Sequence, residues 1–289
     1  MTVTTAPEKQ EKQEGRTFWD SNPCGGQWES YAAFLKWYKW TEPYMFDIVD
    51  AHSWNGLRVL EIGCGQGPLV NHLPARGASM VGIDMSRSSL ERAAAGAREL
   101  GWGDRVRLLQ ADAERLPFPD DTFDAVVSFG VLHHTPDTAS AVQEIGRVLR
   151  PGGRTIVMLY RTGNPKWWAT RVFRSIGRLV IRSKGGLVDR SRRNLAVNDA
   201  RGTALLELFG VPTLKAYSNR DVRAMFSSFV DVQIRNYQPG FLRLADILPG
   251  LRAVRTLLAA VDRTLNRPWG FYQVIEARRR GGVVESMSR

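Results

Sequence analysis

The stretch Val59-Leu-Glu-Ile-Gly-Cys-Gly-Gln-Gly67 decides how this 289-residue chain is read. An apolar run, Arg58–Ile62, has the length and composition of a buried strand and ends abruptly in glycines at 63, 65 and 67. Glycines there let the backbone turn sharply and bring bare N–H groups close to a ligand. Outward from this point the chain alternates short apolar strands with amphipathic segments. Strands are expected at Arg58–Ile62, Ser79–Asp84, Val106–Gln110, Asp124–Ser128 and Thr155–Leu159. Helical stretches are expected near Pro68–Ala75, Ser86–Leu100 and Thr138–Leu149, with Ser86 placed to cap the second. Such alternation demands a parallel sheet covered by helices on both faces, and right-handed crossovers restrict it to doubly wound forms.

Ligands of open α/β sheets bind at the carboxyl ends of the strands. Three acids stand at successive strand ends: Glu61, Asp84 and Asp112. Asp84, about twenty residues beyond the glycines, suits ribose hydroxyls, which leaves a dinucleotide site open as a reading. The G-x-G-x-G spacing nevertheless differs from G-x-G-x-x-G. A crevice with three carboxylates favours a ligand carrying a sulfonium and an ammonium over one carrying a pyrophosphate.

The runs VLEIGCGQG, VGIDMS, QADAERLPFPDDTFDAVVSFGVLHHTPD and LRPGGR, in that order over residues 57–160, resemble the class I S-adenosylmethionine-dependent methyltransferases. The likeness is closest to their small-molecule, quinone- and sterol-type group. It implies a Rossmann-like, seven-stranded, mostly parallel sheet whose last strand is antiparallel. It also implies a cofactor site in which Gly63, Cys64, Gly65 and Gly67 form the loop, and Asp84 holds the ribose. Met85 would pack on the adenine, Asp112 and Ala113 would meet its edge, Ser128 and Phe129 would flank the methionine part, and Glu61 would order the amino end. Leu149-Arg-Pro-Gly-Gly153 would be the tight turn before the fifth strand. No metal is expected.

In-line methyl transfer needs alignment and desolvation more than a fixed acid or base. His133 and His134, just past strand four, are the candidates for removing a proton from an acceptor. Trp19, Tyr31, Tyr160 and Trp168 are the candidate walls of the acceptor pocket. A nucleic-acid substrate is disfavoured. Ser128-Phe-Gly-Val131 replaces the Asn/Asp-Pro-Pro-Tyr of base-amino methylation, and neither Cys24 nor Cys64 stands where a pyrimidine-carbon nucleophile belongs.

The remainder of the chain divides into a polar tail (1–16), an aromatic helical cover (17–56), the core (57–160), a basic helical insertion or lid (161–216), the rest of the α/β core (217–280) and a second tail (281–289). Tyr31, Phe34, Leu35 and Tyr38 share one helix face, and Ser218-Asn-Arg-Asp221 reads as a capping box before a helix and strands near Val230–Asn236 and Phe271–Ala277. Charge is uneven: residues 1–150 hold 15 Lys+Arg against 20 Asp+Glu, and residues 151–289 hold 25 against 9. Wound as a helix, 166–182 sets Arg171, Arg174, Arg178 and Arg182 opposite Val172, Phe173, Ile176, Leu179 and Val180. That face either roofs the acceptor or touches an anionic membrane surface. A second amphipathic face carries Leu251, Val254, Leu258, Val261 and Leu265. Two cysteines exclude a disulfide framework, no apolar run approaches the ~20 residues of a membrane span, and the protein is expected in the cytoplasm, in peripheral membrane contact at most. The expected activity is methyl transfer to O, N or C of a small hydrophobic metabolite, from natural-product or lipid-like chemistry. Its rivals are a cofactor-binding member that does not methylate, a nicotinamide oxidoreductase and an RNA methyltransferase. Oligomeric state is not readable from the sequence.

Overall fold

The computed structural model describes residues 6–24, 28–164, 167–168, 171–172, 211–238 and 254–281. Seven strands form one sheet: β1 (Arg58–Ile62), β2 (Ser79–Asp84), β3 (Val106–Gln110), β4 (Phe123–Phe129), β5 (Leu149–Tyr160), β6 (Phe229–Tyr237) and β7 (Tyr272–Arg279). Their spatial order is β3-β2-β1-β4-β5-β7-β6. β1 pairs in parallel with β2 and β4, while β7 lies antiparallel between β5 and β6. The expected doubly wound, mostly parallel sheet with an antiparallel last strand is therefore present. Leu149-Arg-Pro-Gly-Gly153 is an irregularity within β5: Leu149 pairs with Phe123 and Arg154 with Ala125, so five steps on one strand oppose two on the other.

Side chains of β1 point alternately to two cores. Val59 joins Met80, Ala125 and Val127 under Tyr44, Phe46, Val49 and Trp54, whereas Leu60 and Ile62 join Val126 under Ala141, Val142 and Ile145. Both faces are covered, which is why Val59, Leu60 and Ile62 are apolar on either side of the strand. Fully burying such a side chain contributes ~1.5–3 kcal/mol.

The helices are α1 (Ala6–Ser21), α2 (Tyr31–Thr41), α3 (Pro43–Asp50), α4 (Arg87–Glu99), α5 (Thr138–Val148), α6 (Asn219–Met225) and α7 (Arg255–Trp269). Side chains cap four of them: Ser30 accepts from Ala33 N, Ser86 from Ser89 N, and Asp137 from Ser140 N, while Ser218 and Asp221 close the expected capping box. Leu258, Val261 and Leu265 lie on α7, half-buried, while Leu251 lies outside the described residues.

Two expectations fail. Pro68–Ala75 is not an α-helix: turns lead into a single 3₁₀ turn, Leu73–Arg76, closed by Gly77 at φ 85°. Pro74 lacks the N–H that a continuing helix requires. Residues 1–16 are not a tail throughout, because α1 begins at Ala6. Lys12 and the main-chain carbonyls of Trp19 and Asp20 bond to the α/β core and Glu11 bonds to Thr213, while Lys9, Glu14 and Arg16 are exposed. Most of the 161–216 insertion, and with it the basic helix expected at 166–182, lies outside the described residues. Among the described residues no helix is long and apolar enough to cross a membrane.

Candidate active site

A cleft opens at the carboxyl ends of β1, β2, β4 and β5. Its floor is the loop after β1, whose Gly63 and Cys64 amides both donate to Ile83 O (2.7 and 2.9 Å), pinning the loop to β2. Three glycines in left-handed backbone make the turn, but they do different things. A Cβ on Gly63 would lie 2.1 Å from Val131 Cγ2, and one on Gly67 would lie 2.8 Å from Asn71 Nδ2. A Cβ on Gly65 would meet nothing within 4 Å. Gly63 thus makes room for a protein neighbour, and Gly65 opens directly onto the cleft.

Asp84, at the end of β2, orders this loop. Its Oδ2 accepts from Gly65 N (2.9 Å) and its Oδ1 from Ser86 N (2.8 Å). Burial raises its pKa against those amide bonds. Glu61 is the more unusual group. It is 3% exposed, lines the cleft, and its Oε2 has no hydrogen-bond partner among the described residues. Burial pushes its carboxyl well above the usual range, a backbone bond at Val70 opposes that, and the Asp84 charge adds to it. Burial likewise pushes the neighbouring Cys64 thiol up, so it is no nucleophile. Such an oxygen is stabilised by a cation placed in the cleft.

Of the other expected cofactor contacts, Met85, Asp112, Ala113 and Phe129 line the cleft. Asp112 Oδ1 accepts from Glu114 N (2.9 Å). Two others do not line it. Ser128 is fully buried and donates to Ile62 O at 3.1 Å, tying β4 to β1. Gly67 packs on Asn71 and Ala93, and its carbonyl accepts from the Tyr31 hydroxyl.

The two histidines part company. His133 is buried in the core with its ring stacked on Tyr160 (3.8 Å between centroids, 28°) and forms no part of the cleft wall. Burial drives its pKa well below the ordinary value, and His134 repels its charge further. A neutral side chain locked in a ring stack is structural. His134 does line the cleft. Its Nδ1 sits 2.8 Å from Thr213 O, a carbonyl that only accepts, so Nδ1 carries the proton and Nε2 is the acceptor in the neutral ring.

Of the expected acceptor walls, Trp19 and Tyr160 line the cleft. Tyr31 instead packs against Gly96 of α4, and Trp168 is 60% exposed with Arg171 over its ring. Residues that sequence reasoning did not single out complete the wall: Phe34, Tyr38, Tyr44, Met45, Met158 and Tyr272. Tyr44 packs on Tyr272 (5.4 Å), and Tyr272 stacks on Tyr160 (5.5 Å). Tyr44 and Met45 gave no signal beyond apolar spacing on a helix, because what assembles them with β5 and β7 is tertiary. Among the described residues no cluster of side chains suits a metal ion.

Residues 60–157 match the family described as a methyltransferase domain. Over those residues the chain is similar to methyltransferase domains. Over 100 residues, 34% of this chain and 37% of the relative, the chain is 43% identical to 27-O-demethylrifamycin SV methyltransferase of Amycolatopsis mediterranei (strain S699). Over 154 residues, 48% of this chain and 62% of the relative, it is 35% identical to demethylmenaquinone methyltransferase of Lactiplantibacillus plantarum (strain ATCC BAA-793 / NCIMB 8826 / WCFS1). The chain spans little more than a third of the length of the first curated relatives it matches. In structure the chain resembles the [4+2]-cyclase SpnF, with TM-score 0.55, 20% identity and coverage of 94% of this chain and 97% of that one. A putative sarcosine dimethylglycine methyltransferase from Galdieria sulphuraria is similar at TM-score 0.56 and 12% identity, covering 94% and 98%. These two likenesses show the fold.

Proposed function

We propose that the whole chain is a methyltransferase that moves the methyl group of S-adenosylmethionine to O, N or C of a small, largely apolar acceptor. The observation that carries the reading is Glu61: a buried carboxylate oxygen without a partner among the described residues, lining the cleft beside the space left open at Gly65. A pyrophosphate would be repelled there, whereas the ammonium of an amino acid would offset the cost of the buried charge.

The residues present fit that cofactor. Glu61 would hold its amino end, Asp84 its ribose, and Asp112 with Ala113 its adenine edge, while Met85 and Phe129 supply apolar contact. When bound, S-adenosylmethionine supplies a methyl group on a positively charged sulfur, already electrophilic. The chain's own part is alignment and exclusion of water. Phe34, Tyr44, Met45, Met158, Tyr160 and Tyr272 form an apolar chamber for an acceptor, and α1 covers the cleft from the other side. Alignment of two reactants in such a chamber contributes several kcal/mol. The Thr213 carbonyl holds His134 in the tautomer whose Nε2 accepts a proton, which suits the removal of a proton from an O or N acceptor.

An assay for S-adenosylhomocysteine release with a panel of hydrophobic hydroxyl, amine and carbon acceptors tests the reading. Turnover with at least one acceptor class, weakened in Glu61→Gln, is expected. Tight cofactor binding with no turnover on any acceptor favours the non-methylating alternative. Occupation of the cleft by a nicotinamide dinucleotide instead contradicts the reading.

A further inference from the structure

The polar residues of α1 make specific contacts at the cleft. Lys12 Nζ lies 2.6 Å from Asp112 Oδ2 and 2.5 Å from Glu114 Oε2. The Lys12 and Glu114 side chains are 19% and 4% exposed, so this is no surface ion pair. Glu114 is itself held rigid, because its other oxygen accepts from Asp137 N (2.6 Å) at the start of α5. One residue earlier, Glu11 accepts from the Thr213 hydroxyl, and the Thr213 carbonyl fixes His134. Further along α1, Ser86 Oγ donates to Trp19 O (3.3 Å) and Ser88 Oγ to Asp20 O (2.9 Å).

We propose that α1 is a strap over the cofactor cleft and that Lys12 is the positioning residue that latches it at the adenine end. The proposal rests on the reading of this cleft as the S-adenosylmethionine site. These α1 contacts are mostly polar, and a segment held by few buried apolar contacts opens locally at low cost. The latch is the exception. Opening it leaves two carboxylates to be resolvated, one of them deeply buried. Burial alone would lower the Lys12 pKa, but the two carboxylates outweigh it and the net shift is upward, as a latch that holds requires. Asp112 is at once Lys12's partner and the adenine-edge acid. Strap closure and cofactor occupancy are therefore coupled through one carboxylate, and that coupling is reciprocal.

The experiment is stopped-flow displacement of S-adenosylhomocysteine from the full chain, with hydrogen exchange across residues 8–20 as a second readout. Lys12→Met should release the ligand roughly tenfold faster, the change that losing one charged, partly buried contact brings. Lys12→Arg should restore slow release, and the ligand should protect α1 amides in the wild type and not in Lys12→Met. Glu114→Gln should release faster as well, which covers the case in which Lys12→Met does not fold. A Lys12→Met release rate equal to wild type, or α1 exchange indifferent to ligand, overturns the latch and leaves the function standing. Failure of the wild type to bind the ligand at all overturns both.

Discussion

The two ends of the cleft are built on different principles. The cofactor end is made of backbone: an amide loop after β1, pinned to β2, with acids at the tips of three neighbouring strands. The acceptor end is made of side chains brought together from α2, α3, β5 and β7, far apart in sequence. Strand order fixes the first, so its residues fall at set distances along the chain. Packing fixes the second, so its residues fall nowhere in particular. A cofactor shared by many enzymes suits a site that the fold itself dictates, and an acceptor particular to one enzyme suits a site that packing can vary.

This contrast can be broken by substitution. The largest effect is expected at Asp84. Asp84→Asn leaves a single acceptor oxygen for the Gly65 and Ser86 amides and removes the charge, and should weaken S-adenosylmethionine binding about a hundredfold, ~2.7 kcal/mol, in a calorimetric titration. If the loop were held by other groups, affinity would hardly change. Next comes the glycine pair. Gly63→Ala drives a methyl into Val131 and should cost ~2 kcal/mol or more of stability in denaturant unfolding. Gly65→Ala should cost only the ~1 kcal/mol of its left-handed backbone while weakening cofactor binding. Equal stability losses in the two variants would erase the distinction between structural and ligand-facing glycines.

The acceptor end should respond in its own way. Tyr272→Leu is expected to raise the acceptor KM roughly fivefold, about 1 kcal/mol, and to leave cofactor affinity alone. A parallel loss of cofactor affinity would show that the two ends are not separable. The cofactor end also has a pH signature. Glu61's folded pKa is raised, so the folded state keeps that proton longer than the unfolded chain. The associated stability is present below the unfolded carboxyl pKa and is lost as pH rises through the raised folded value. Glu61's share of the stability should therefore be smaller at about pH 8 than at about pH 5.5, read in the ligand-free protein as the difference between wild type and Glu61→Gln, because buried His133 gives the whole protein an opposing slope. The smallest effect belongs to Ser128→Ala, which should cost ~1 kcal/mol of stability through its bond to Ile62 and nothing in cofactor affinity.

The same contrast explains what was legible in the sequence. Strand periods, glycine spacing and caps such as Ser86 and Ser218 are local, and the sheet follows from them. The helix expected over Pro68–Ala75 failed on Pro74, also a local feature, whose missing N–H was readable beforehand. His133 and Ser128 were misassigned because adjacency to the site along the chain says nothing about side-chain direction. His133 turns into a ring stack and Ser128 bridges two strands. The polar composition of α1 suggests solvation, whereas its Lys12 pairs with acids a hundred residues on. Tyr44, Met45 and Tyr272 carry no motif, and only the closed sheet brings them together.

Isothermal titration of the purified chain with S-adenosylmethionine and with S-adenosylhomocysteine, set beside its Glu61→Gln variant, goes to the centre of the account. One-to-one binding of both ligands, weaker in the variant by about tenfold for the loss of one charged contact, is the predicted result. No heat from either ligand, with NADH binding in their place, would contradict it.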